Sequence, residues 1–139
     1  MSGIIGGAGS KSGVIGTTEL DYEEGTWTPA SSVMTNWVVS NNTYTKIGRE
    51  VTVRAYITSG SASGGLAYIT GLPYTSGNAS TGSALTYYVD WSAGTGLAIN
   101  IAASATQFEV VTYGDNITWA NALTLSNNDL LKINFTYNV

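Results

Sequence analysis

Few residues in this chain could do acid–base or nucleophilic chemistry. It has no histidine and no cysteine. That removes Ser-His-Asp and Cys-His nucleophile systems, the usual zinc ligands and disulfides. Gly9-Ser10-Lys11-Ser12 departs from a phosphate-binding loop, because Ser10 stands where that loop needs Gly directly before Lys, and no strand-loop-helix pattern surrounds it. Carboxylates remain. Glycoside hydrolysis needs two of them about 5–10 Å apart, and nothing in the spacing of Asp90, Glu109, Asp115 and Asp129 brings a pair together. Isolated acids on strand faces and in turns are expected to be solvated. Asp21-Tyr22-Glu23-Glu24 offers oxygens to a calcium ion but lacks the alternating ligands and central Gly of an EF-hand loop. It reads as a solvated acidic segment leading into the domain. The expectation is a non-enzymatic protein with no cofactor and no metal site.

Binding chemistry is better supplied. Four tryptophans, nine tyrosines and two phenylalanines bring the aromatic share to 11%. Trp91 follows Asp90, and Trp119 lies near Asn116 and Asn121, in or near turns. Rings beside amides and acids suit stacking on a sugar, so Trp91 and Trp119 are candidate glycan contacts. Aromatic residues equally fill β-sandwich cores and protomer interfaces, and both uses stay open here.

The surrounding chain sets the frame for these residues. Only 10% of the 139 residues are charged, and the net charge is −4, well below the usual charged quarter. The five cations Lys11, Lys46, Arg49, Arg54 and Lys132 form no run, so no phosphate-neutralising patch is expected and nucleic acid is not a predicted partner. From Ala55 to Val89 no residue is charged, yet Gly, Ser and Thr interrupt the stretch throughout. No run of about 18 apolar residues exists, and membrane insertion is not predicted. A surface this poor in charge stays soluble through neutral polar groups or by covering area in an oligomer.

Period-2 alternation marks half-buried strands. Val51, Val53, Ala55 and Ile57 alternate with Thr52, Arg54, Tyr56 and Thr58. Leu97, Ile99 and Ile101 repeat the pattern, as do Phe108 and Val110. The cleanest case is Leu131, Ile133, Phe135, Tyr137 and Val139 against Lys132, Asn134, Thr136 and Asn138. Further strands are expected at Thr43–Ile47, Leu66–Thr70 and Ser83–Val89, with turns at 47–49, 59–65, 72–77, 93–96, 114–116 and 126–129. No segment holds a capped 3.6-residue apolar period. The fold class is therefore all-β, a sandwich or barrel, occupying residues 21–139.

Residues 1–20 differ. Gly3-Ile4-Ile5-Gly6 returns as Gly13-Val14-Ile15-Gly16 ten residues later. So much glycine loses backbone entropy on ordering with little side chain to offset it. The segment reads as an extended N-terminal docking arm for another protein, with a plain tail, or an arm packed on its own protomer, as the other readings.

One order of motifs is distinctive. Tyr22-Glu23-Glu24-Gly25-Thr26-Trp27-Thr28-Pro29 is followed by Asn42-Thr43-Tyr44-Thr45-Lys46-Ile47-Gly48-Arg49, then by the strand Val51–Ile57, then by Ile69-Thr70-Gly71-Leu72-Pro73-Tyr74. This order resembles a module of bacteriophage virion proteins, found at tail-fibre tips and in small head-fibre or decoration proteins. The resemblance covers residues 9–74 and thins to a general strand pattern beyond. It implies a jelly-roll-like antiparallel β-sandwich, a homotrimer, and a place on the virion surface. With only about twenty residues ahead of the domain and no long shaft, the expectation is a capsid decoration or head-fibre protein, bound to another virion protein through the arm. The alternative is a tail-fibre tip or receptor-binding adhesin that recognises a host-surface glycan. Physically, Thr26–Pro29 is expected to be a short β segment ended by Pro29, with Trp27 covering one end of the core. Gly48 is expected to take a positive φ in a turn, and Gly71-Leu72-Pro73 to stop a strand.

Overall fold

A computed structural model describes residues 21–31, 34–62, 68–87, 95–114 and 129–139. Among these every regular element is a strand: β1 Tyr22–Thr26, β2 Met34–Thr35, β3 Val38–Ile47, β4 Glu50–Thr58, β5 Ser61–Ala62, β6 Tyr68–Thr70, β7 Ser80–Tyr87, β8 Thr95–Ile101, β9 Gln107–Gly114 and β10 Leu130–Asn138. Eight of them form one antiparallel sheet in the order β1-β3-β4-β10-β7-β8-β9-β6, and β2 pairs with β5.

The alternating segments become the middle of this sheet for the expected reason. Val51, Val53, Ala55 and Ile57 are buried along β4, and Leu131, Ile133, Phe135 and Tyr137 along β10. The two strands pair over their full length, Val51 with Tyr137 and Ile57 with Leu131. A one-residue slip would turn both apolar rows to water, so the buried face fixes the register.

The sheet curls into a half-barrel. Strand β9 stands three places from β10, which in a flat sheet would be roughly 14 Å. Yet Phe108 of β9 meets Phe135 of β10 edge-on, ring centroids 5.0 Å apart. Both edge strands are drawn together by the segment after β1. Ala30 forms an isolated antiparallel bridge with Thr70 of β6, with Ala30 N–H to Thr70 O at 3.1 Å and Thr70 N–H to Ala30 O at 2.8 Å. Segment 27–30 thus spans from the β1 edge to the β6 edge.

Several boundaries differ from the alternation pattern. Strand β1 ends at Thr26, so Trp27, Thr28 and Pro29 are not a β segment. The chain turns inward there: Trp27 is buried, and its backbone N–H bonds Asn42 O at 3.0 Å. Strand β3 starts at Val38, well before Thr43. A bulge between Ser40 and Thr43, with Asn41 at φ 55°, breaks the period and hides its first half. Strand β7 starts at Ser80, earlier than Ser83. The turn expected at 93–96 gives way to β8 from Thr95, and Ser61–Ala62 pairs with β2 inside the turn expected at 59–65. Gly48 does take a positive φ, 59°. The docking arm (Gly3, Ile4, Ile5, Gly6, Gly13, Val14, Ile15, Gly16) and both candidate glycan contacts, Trp91 and Trp119, lie outside the described residues.

Candidate functional site

The signature residues are scattered along the sequence but form one joint. Gly71, after β6, has φ 91°, and a Cβ there would sit 2.2 Å from Thr28 O. The first and last blocks of the signature, Trp27-Thr28-Pro29 and Gly71-Leu72-Pro73, therefore touch backbone to backbone, and only glycine permits the approach. Leu72 is buried beside Trp27 in the same core cluster. Trp27 is locked on three sides. Its indole N–H donates to Arg54 O at 2.9 Å, its carbonyl accepts from the Asn42 side-chain amide, and its ring tilts against Phe108 at 6.3 Å.

A second cluster ties the middle block to both ends. Glu23 on β1 accepts hydrogen bonds from the hydroxyls of Tyr44 and Tyr74. The two rings meet edge-on at 5.8 Å, and Gly25 leaves the space that Tyr44 fills. Those hydroxyls hold the Glu23 carboxyl below its usual range, Tyr44 contributing most. The same bonds push the Tyr44 and Tyr74 phenols up. Lys46 pairs with Asp21 and lies 5.6 Å from the Tyr74 ring centre. Tyr74 in turn is gripped by Tyr137 of β10, whose hydroxyl donates to Tyr74 O at 2.9 Å. Arg49 donates to Val139 O at 2.9 Å from its side chain.

The acidic segment Asp21–Glu24 is exposed, as expected. Asp21, Glu23 and Glu24 each have a different partner, Glu24 accepting from Tyr22 at 2.7 Å. Among the described residues no three potential metal ligands gather. Glu109 accepts from the Asn100 amide at 2.6 Å, half-buried, and Asp129 is buried and not solvated as expected. Asp90 and Asp115 lie outside the described residues. No match to this chain is found among family models, curated proteins or solved structures.

An open groove lies on the outer face of β3, β4 and β10. The bulge at Ser40–Thr43 leaves a groove of about 490 Å³ lined by Ser40, Asn41, Arg54, Tyr56, Lys132 and Asn134, with Ala55 and Ile133. Register sets Arg54 opposite Asn134 and Tyr56 opposite Lys132, so the two cations stand one pleat apart on neighbouring strands. Lys132 Nζ lies 5.3 Å from the Tyr56 ring centre and 5.5 Å from that of Tyr87, which steadies the ammonium between two π faces. Among the described residues the ion pair formed is Lys46–Asp21, and neither Arg54 nor Lys132 forms one with a described carboxylate. Beside the groove, Val38, Leu85 and Tyr87 stand exposed at 65%, 55% and 48%.

The alternation of β4 places Arg54 and Tyr56 on the outer face, but it does not reveal the groove. It needs the bulge and the pairing of β4 with β10, and neither is a local signal.

Proposed function

We propose that this chain is a non-enzymatic structural module on the surface of a bacteriophage particle, a homotrimeric capsid decoration or head-fibre protein docked through residues 1–20. The carrying observation is the joint between Thr28 and Gly71. The blocks whose order resembles the virion module are the same residues that tie the two sheet edges together, so the resemblance rests on a built unit and not on composition. Glu23, Tyr44, Lys46, Gly71 and Leu72 serve packing and hydrogen bonding there. In this proposal the half-barrel belongs to a jelly-roll-like sandwich, and the exposed pair Tyr22 and Ile47, at the far end of β3 from the groove, is covered by sister copies. Cryo-microscopy of particles carrying the labelled protein tests it. Many copies on the head support decoration, a few copies at a tail end refute it, and absence from the particle refutes both locations.

A tail-fibre tip or receptor-binding adhesin is the second reading. The cationic groove beside Tyr56 and Tyr87 favours it, since a protein that only covers a capsid has no use for such an opening.

A further inference from the structure

We infer that the outer-face groove of β3, β4 and β10 is a binding site for an acidic saccharide, a sugar bearing a carboxylate or a phosphate. The inference deepens the second reading, on which it rests, by naming the class of glycan and the residues that would hold it.

The argument begins with charge. This chain carries net −4, and cations are scarce. Two of its five stand one pleat apart on adjacent strands, and neither forms an ion pair with a described carboxylate. Like charges so placed repel, and an anion seated between them relieves the repulsion. Arg54 offers a planar fork that matches two oxygens of a carboxylate or phosphate, and Lys132 a compact ammonium. Both are positioned from firm elements. The Arg54 backbone carbonyl is held from the core side by the Trp27 indole, and the Lys132 ammonium stands between Tyr56 and Tyr87.

The rest of the lining selects a sugar over a bare ion. Ser40, Asn41 and Asn134 bring hydroxyl and amide groups, and Tyr56 brings a ring face with a hydroxyl at its edge. Amides that both donate and accept suit the hydroxyls of a pyranose. The groove, about 490 Å³, is within the usual size of small-ligand sites. A single shallow site on an acidic protein binds weakly. Repeated copies on one particle would raise the apparent affinity without further contacts.

The test is an array of carboxylated, phosphorylated, sulfated and neutral glycans, followed by calorimetric titration of the strongest binder. Acidic sugars should exceed their neutral counterparts, and the array itself separates carboxylate from phosphate. Arg54→Gln and Lys132→Gln should each weaken binding about tenfold or more with melting unchanged. Thr45→Ala, on the same face outside the groove, should leave it intact. Equal binding of neutral sugars, no binding of any acidic sugar, or unaltered binding by both charge variants overturns the inference. If the variants instead lose attachment to the particle while no acidic sugar binds, the groove docks an acidic protein segment and the saccharide assignment is wrong. None of these outcomes decides where on the particle the protein sits, which the labelling experiment reads separately.

Discussion

The hydroxyl of Tyr137 bridges both backbone groups of Tyr74, accepting its N–H at 3.2 Å and donating to its carbonyl at 2.9 Å. One side chain on β10 thereby satisfies two polar groups of the segment that follows β6, and that segment carries Tyr74 to Glu23. Replacing Tyr137 by Phe keeps the ring and orphans both groups. We expect a loss of about 1–3 kcal/mol at neutral pH in denaturant unfolding.

The same residue sets an alkaline limit. Burial raises the Tyr137 phenol from 10.0 to about 12. A raised folded value means the proton is held more tightly in the native state. The contribution is whole below about pH 10 and is lost as pH climbs towards 12. Melting temperature should fall over that window, and Tyr137→Phe should flatten part of the fall.

At the acid end the sign reverses. The Glu23 carboxyl is held below its ordinary 4.5, first by Tyr44 and then by Tyr74. Its contribution is present above the ordinary value and is lost as pH drops through the lowered one. Glu23→Gln should melt lower than the parent at neutral pH and lose less on acidification. Parallel acid curves for the two proteins would show that the tyrosine cluster does not hold β1.

Two glycines with positive φ should behave differently. Gly71→Ala meets Thr28 O as well as backbone strain, and should cost about 2–4 kcal/mol. Gly48, at φ 59°, has open space around it, so Gly48→Ala should cost only about 1 kcal/mol. Equal effects would mean that strain alone matters and the edge-to-edge joint does not.

For the proposed trimer, light scattering at micromolar concentration should give three times the 14.5 kDa chain mass. Ile47→Asp should yield a folded monomer with an unchanged far-ultraviolet spectrum. A parent protein already monomeric would remove the assembly from the proposal.

Much of the sheet was legible because one face is dry. Val51 to Ile57 and Leu131 to Tyr137 alternate strictly, and water on one side with core on the other enforces that pattern. Strand β3 was half legible, since the bulge at Asn41 interrupts the alternation without changing composition. The two-residue strands β2 and β5 have too few side chains for any period. The joint was legible only as a list of residues. That Thr28 would press on Gly71, or that Arg54 would stand diagonal to Lys132, follows from strand order and register, which arise when distant segments meet.

Strand order also has a kinetic side. The strand flanked by β4 on one side and β7 on the other is β10, the last of the strands along the sequence. As a ribosome delivers the chain, β1, β3 and β4 can zip into a local meander early. The open rim of β4 must then wait for Leu130–Asn138 to emerge. Until it does, Val51, Val53 and Ile57 lack their cover, and an unpaired strand rim invites neighbouring nascent chains. The rate of folding should therefore be set by capture of β10, a slow non-local event. Chains cut short before Leu130 should aggregate, because the missing piece is the middle of the sheet.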